Sequence, residues 1–276
     1  MNRLELLTCL LPALATVACT DEPGALTITT WGEDYIEQEL PADAFEDGWR
    51  VKYTKFLITF SAIRMADADG VLGADLGGSV VFDMTKPGPT TIAALTDVPA
   101  LRYDDISVAV KPASAASTGG GAIAADDLAR MQQDGWSVYV EGSATSTAGV
   151  VKGFTWGFTT ATAYEGCEPV DGGGVVVPAG GSATAQLTVH GDHYYYDDLQ
   201  SADAKLRFDA IAAADKNGDS DITPAELEAV ALSDLPATLY KTGSVPGVRT
   251  LRDYVAALSR TLVHFQGEGE CTSRPL

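Results

Sequence analysis

Residues 50–63, Arg-Val-Lys-Tyr-Thr-Lys-Phe-Leu-Ile-Thr-Phe-Ser-Ala-Ile, alternate between apolar and polar side chains along most of their length. A strand of this kind sends every second side chain to one face, and that face must be covered by another layer. Residues 79–82, 106–110, 136–141, 151–162 and 183–190 read as further strands. Turn-forming clusters divide them, such as Thr85-Lys86-Pro87-Gly88-Pro89, and Asp67-Ala68-Asp69-Gly70 predicts a hairpin turn. Short strands separated by turns predict an antiparallel β-sandwich over residues 25–190. A short helix over 123–133, with Leu128 and Met131 three apart, interrupts it. The glycine tracts at 119–121 and 172–174 lack a following Lys-Ser/Thr, so they read as flexible loop tips and not as phosphate loops.

Beyond His190 the pattern becomes helical, with segments over 202–214, 224–232 and 236–240 and a closing helix over 248–266. In the last of these Leu251, Val255, Leu258, Leu262 and Phe265 form one apolar stripe. No linker-rich boundary sets this part off. Residues 191–276 are therefore expected as an α-helical appendage that shares the sandwich's core, and the fold class as mainly β with an α-helical C-terminal part.

Between the first two helical segments lies Asp215-Lys-Asn-Gly-Asp-Ser-Asp-Ile-Thr-Pro-Ala-Glu226. A calcium ion takes six to eight hard oxygen ligands, and a twelve-residue loop provides them from positions 1, 3, 5, 7, 9 and 12. Those positions hold Asp215, Asn217, Asp219, Asp221 through its carbonyl, Thr223 through water, and Glu226 as the bidentate closer. The segment 202–232 thus resembles an EF-hand, with Ile222 as the apolar residue whose backbone pairs with a partner loop. Ser220 stands where the family has glycine, at a position requiring a left-handed backbone. This costs about 1 kcal/mol and weakens binding without abolishing it. The acidic stretch at 67–75 has no glutamate at position 12, so the hand is single.

Residues 1–18 resemble a secretory signal peptide, and Ala15-Thr16-Val17-Ala18-Cys19 resembles a bacterial lipobox. Cys19 is then the lipidated first residue of the mature chain, followed by a polar linker to residue 24. This implies anchoring in the cell envelope, at the outer membrane facing the periplasm or at the cell surface. With Cys9 in the signal and Cys19 lipidated, Cys167 and Cys271 remain to form a disulfide in an oxidising compartment. The 18 Lys and Arg against 38 Asp and Glu give a formal charge of −20, which repels nucleic acid and attracts cations.

Histidine occurs three times, as His190, His193 and His264. The first two flank Asp192 at the end of a predicted strand, and the third lies near Cys271. With the disulfide formed, all three can converge, with Asp192 as an accompanying carboxylate, on copper or zinc. A lipoprotein with sandwich strands, histidines after the last strand and a closing tail resembles the methanobactin-associated copper-binding periplasmic proteins. That resemblance implies copper ligation by His190, His193 and His264. No nucleophile elbow or marked carboxylate pair is present, so no enzymatic activity is expected. The Tyr194–Tyr196 run is expected to be half buried, alternating between sheet face and solvent. The leading expectation is a membrane-anchored, non-enzymatic, extracytoplasmic calcium-binding lipoprotein whose EF-hand steadies the helical part. The alternative is a copper or zinc binding or transport protein that uses the histidines.

Overall fold

The computed structural model describes residues 22–276, so the expected leader and Cys19 lie outside the described residues. The alternating segment forms the strand Arg50–Ala66, around which the larger sheet is built. Its first half pairs with Val138–Thr145 and its second half with both Leu72–Asp83 and Asp105–Val110, all antiparallel. A register shift between Ser61 and Ile63, with Ala62 at φ +50°, marks a bulge that bends the strand. The sheet continues through Val151–Phe158 on one side, and through Thr162–Glu165 and Thr272–Pro275 on the other. The hairpin turn expected at 67–70 is present, with Asp67 Oδ1 accepting from the amides of Asp69 and Val71.

A second, four-stranded sheet has the order Val263–Phe265, Ser182–Val189, Gly24–Trp31, Thr90–Val98. Gly24–Trp31 runs parallel to Ser182–Val189, so the β-rich architecture is mixed and not wholly antiparallel. Gly24–Trp31, with inward Leu26 and Ile28, was not singled out in the sequence although its alternation with threonine is a strand pattern. One continuous core holds Phe56, Phe60 and Trp156 from the large sheet, Leu187 and Phe265 from the small one, and Tyr194, Phe208 and Leu258 from the C-terminal part. On another face of the large sheet the helix Ala125–Asp134 packs Met131 against Leu57, Val81 and Tyr139, and Gly135 ends it in the left-handed conformation at φ +63°.

The C-terminal part is far less helical than expected. The segment over 202–214 keeps only the helix Asp209–Ala212, because tertiary partners take its backbone groups. Asp197 accepts from the Lys205 amide, Glu46 donates to the Leu206 carbonyl, and Asp47 accepts from the amides of Phe208 and Asp209. The segment over 224–232 keeps Pro224–Glu228, and 236–240 forms no helix. The closing helix spans Leu251–Leu258 only. Ser259 and Thr261 return their hydroxyls to the carbonyls of Ala256 and Leu258, and the chain leaves the helix. Val263–Phe265 then joins the small sheet as a strand.

The glycine tracts are not merely loose tips. A Cβ at Gly120 would lie 2.2 Å from the Phe82 ring, and one at Gly174 would lie 1.7 Å from the Tyr103 carbonyl oxygen, so both are sites of close packing. The Cys167–Cys271 disulfide is present, just after the strand Thr162–Glu165, and ties the chain end to it. No helix among the described residues is long and apolar enough to cross a membrane.

Candidate metal centre

The three histidines meet. Thr188 pairs with His264 across the small sheet, and His190 lies two residues on, so both imidazoles leave the same face as diagonal neighbours. Their rings stack with centroids 4.1 Å apart. His190 is held in place by its amide, which donates to the Leu262 carbonyl at 2.9 Å. The chain then folds back through a 3-10 turn, Asp192–Tyr195, which brings the His193 ring to 5.5 Å from His190 and 4.9 Å from His264. Gly191 makes that reversal feasible, because a Cβ there would lie 2.7 Å from Ile36 and 2.8 Å from the Tyr53 ring. Tyr53 also donates its hydroxyl to the Gly191 carbonyl at 2.6 Å. All three histidines are buried, and one ring nitrogen from each lies within 4.8 Å of the others.

Hydrogen bonding selects the ligating nitrogen of His193. Thr261 gives its one hydroxyl proton to the Leu258 carbonyl at 2.9 Å. Its oxygen is therefore an acceptor for His193 Nδ1–H, also at 2.9 Å. The proton is held on Nδ1, and the Nε2 lone pair is left to ligate. Burial and the neighbouring imidazoles hold His193 well below the usual histidine range. Burial first, then His190, lowers His264 to about 4. Both are neutral at pH 7, the form that binds metal.

Asp192 stands outside this cluster. Its Oδ2 accepts the Tyr196 hydroxyl at 3.0 Å, its Oδ1 is buried without a partner, and burial raises its carboxyl. The carboxylates beside the cluster are Glu33, whose Oε2 lies 3.5 Å from His190 Nε2, and Glu268, whose Oε2 lies 4.0 Å from His190 Nδ1. Sequence reading missed both, since no spacing links Glu33 to a histidine so distant in the chain. Tyr194 and Tyr195 are fully buried, and the half-buried Tyr196 packs against His193, so the expected alternation does not hold. A cavity of about 430 Å³ opens beside the cluster, lined by His193, His264, Tyr196 and Glu268 among others.

The acidic loop is a separate group of oxygens. Asp215, Asp219 and Glu226 offer carboxylate oxygens within 4.8 Å of one another. Asp215 accepts from the amides of Gly218 and Ser220, Asn217 from that of Asp219, and Asp219 from that of Asp221. Ser220 has φ +70°, the left-handed backbone expected at that position. Thr223 caps the helix Pro224–Glu228 together with Glu226, whose Oε2 accepts from Thr223 and whose Oε1 is buried without a partner. Lys152 forms an ion pair with Asp215 and holds that carboxyl below the usual range. Among the described residues no second acidic loop faces Ile222. The strand Asp221–Ile222 pairs in parallel with Val151–Phe158 instead, and Trp156 Nε1 donates to the Ile222 carbonyl at 2.8 Å.

Comparison with protein-family models, with curated proteins and with solved structures finds no match for this chain.

Proposed function

We propose that the chain is a non-enzymatic, extracytoplasmic metal-binding protein in which His190, His193 and His264 hold one transition-metal ion, copper or zinc. The observation that carries this reading is the buried convergence of the three imidazoles, with His193 Nδ1–H donated to Thr261. Burying three polar rings together is costly unless something satisfies their lone pairs, and His190 Nε2 and His264 Nδ1 have no hydrogen-bond partner. Three neutral nitrogens suit zinc or copper, and a tetrahedral ion so held keeps one position free. Because His193 and His264 line the neighbouring cavity, that position is within reach of an incoming ligand. This favours uptake and release over a closed structural site. Metal analysis of purified protein tests the reading. Stoichiometric copper or zinc, lost in a His190→Ala, His193→Ala double variant, supports it; wild-type protein that retains neither ion at equilibrium refutes it.

A calcium ion in the loop 215–226 is a second, structural reading, favoured by the left-handed Ser220 and the convergence of Asp215, Asp219 and Glu226. Its role is to hold the segment after residue 208 against the sheet edge. Lipidation at Cys19 would keep the whole assembly at a membrane surface.

A further inference from the structure

We propose that Glu33 and Glu268 make the histidine centre selective for a divalent ion, such as Zn²⁺ or Cu²⁺, over Cu⁺. The inference rests on the three histidines binding metal, and it concerns which ion they accept. His190 is buried, with Glu33 3.5 Å from Nε2 and Glu268 4.0 Å from Nδ1, and one oxygen of each glutamate lies within 4.8 Å of the other and of a His190 nitrogen. A neutral imidazole ligates through one nitrogen and carries its proton on the other. The two carboxylates stand together beside His190, within electrostatic reach of an ion on either nitrogen.

The Glu33 distance suits an ion shared with His190. Metal–ligand bonds of about 2.0–2.2 Å place neighbouring donor atoms of a tetrahedral ion roughly 3.3–3.6 Å apart, close to the His190–Glu33 separation.

The placement of both glutamates is built into the fold. Glu33 begins the helix Glu33–Glu37 with a left-handed backbone at φ +55°, unusual for a residue with a side chain. Gly32 before it lies so close to Met84 that a Cβ would come within 2.4 Å of the Met84 carbonyl oxygen. Glu268 sits in a turn closed by the Phe265 amide on the Gly269 carbonyl, and the adjoining chain is tied down by Glu168 N–H to the Glu270 carbonyl and by the disulfide.

The consequence is electrostatic. Three neutral imidazoles alone accept a monovalent or a divalent ion. Two carboxylates beside that group add negative charge and hard donors, which favour the dication, whereas Cu⁺ gains little from carboxylate oxygen.

The test uses full-length protein stripped of metal and titrated separately with Zn²⁺ and with Cu⁺ against competing chelators. Wild type is compared with Glu33→Gln, Glu268→Gln, the double variant and His193→Ala. We expect each Gln variant to lose about 10- to 100-fold in Zn²⁺ affinity, more in the double variant, with Cu⁺ affinity changed less than about threefold. Zn²⁺ affinity unchanged in the double variant, or Cu⁺ affinity falling as far as Zn²⁺, overturns the proposal. Glu268 is mostly exposed, so Glu268→Gln alone remains informative if Glu33→Gln does not fold. His193 lies outside the carboxylate pair. If His193→Ala binds both ions as wild type does, the histidine site itself is wrong, whatever the glutamates do.

Discussion

At Ser220 the backbone adopts φ +70°, a left-handed conformation that costs a residue with a Cβ more than glycine. Ser220→Gly should therefore raise calcium affinity by about fivefold, the equivalent of about 1 kcal/mol of released strain, read by calorimetric titration. Lys152 sets a second limit on the same loop, because its ammonium already occupies Asp215, the carboxylate at the first ligand position. Calcium must displace that cation. Lys152→Met should raise calcium affinity about two- to fivefold at low ionic strength, with a smaller gain at high salt. In the histidine centre the corresponding residue is Thr261. With its proton given to Leu258, it can only accept from His193, so Thr261→Val leaves Nδ1–H without a partner and frees the ring to change tautomer. Zinc affinity should fall about tenfold with little change in the fold, as judged by near-ultraviolet circular dichroism.

Among the elements, the strand Asp221–Ile222 gives the proposed calcium loop a backbone partner. Its partner is the edge of the large sheet at Val151–Phe158, with the Gly153 amide donating to the Ser220 carbonyl at 2.8 Å. Ion binding at the loop should tighten this junction. Hydrogen exchange of the Gly153 amide should slow on adding millimolar calcium, while an amide in the far sheet, such as that of Ile28, should not change. If Gly153 exchanges at the same rate with and without calcium, the loop does not communicate with the sheet edge. The closing segment shows how a pattern can be read correctly for burial and wrongly for conformation. Leu251, Val255, Leu258, Leu262 and Phe265 are all buried as the stripe required. Only the first three lie in a helix, and the last belongs to a strand that pairs with Ser182–Val189.

Across the molecule, the disulfide and the histidine centre tie the C-terminal chain to both sheets. Cys167 and Cys271 close a loop of sequence separation 104, for which chain entropy predicts about 4–5 kcal/mol of stability. A Cys167→Ser, Cys271→Ser variant should lose stability of that order in denaturant unfolding. The metal-free protein should also weaken in mild acid. His264 titrates near 4 in the folded chain against 6.5 when unfolded, and His193 is shifted the same way. The unfolded chain therefore takes the proton first. The contribution of these groups is complete above about pH 6.5 and is lost as pH falls toward 4, roughly 3 kcal/mol from His264 alone. Thermal melts of chelator-treated protein across that range check the sign; a melting temperature that rises on acidification contradicts it.

Local pattern determined a great deal in this chain. Period-two alternation marks Arg50–Ala66, and oxygen side chains at fixed spacing mark the loop 215–226, because in both the relevant neighbours are close in sequence. The cysteine pair was also legible, since counting left only two candidates. What the tertiary structure alone decided is where separate pieces meet. It set the parallel pairing of Gly24–Trp31, diverted residues 202–208 from helix by tertiary hydrogen bonds, and placed Glu33 and Glu268 together beside His190. A carboxylate brought to the histidine cluster from a distant part of the chain leaves no periodic trace in the sequence, and its position is a property of the packed sheets.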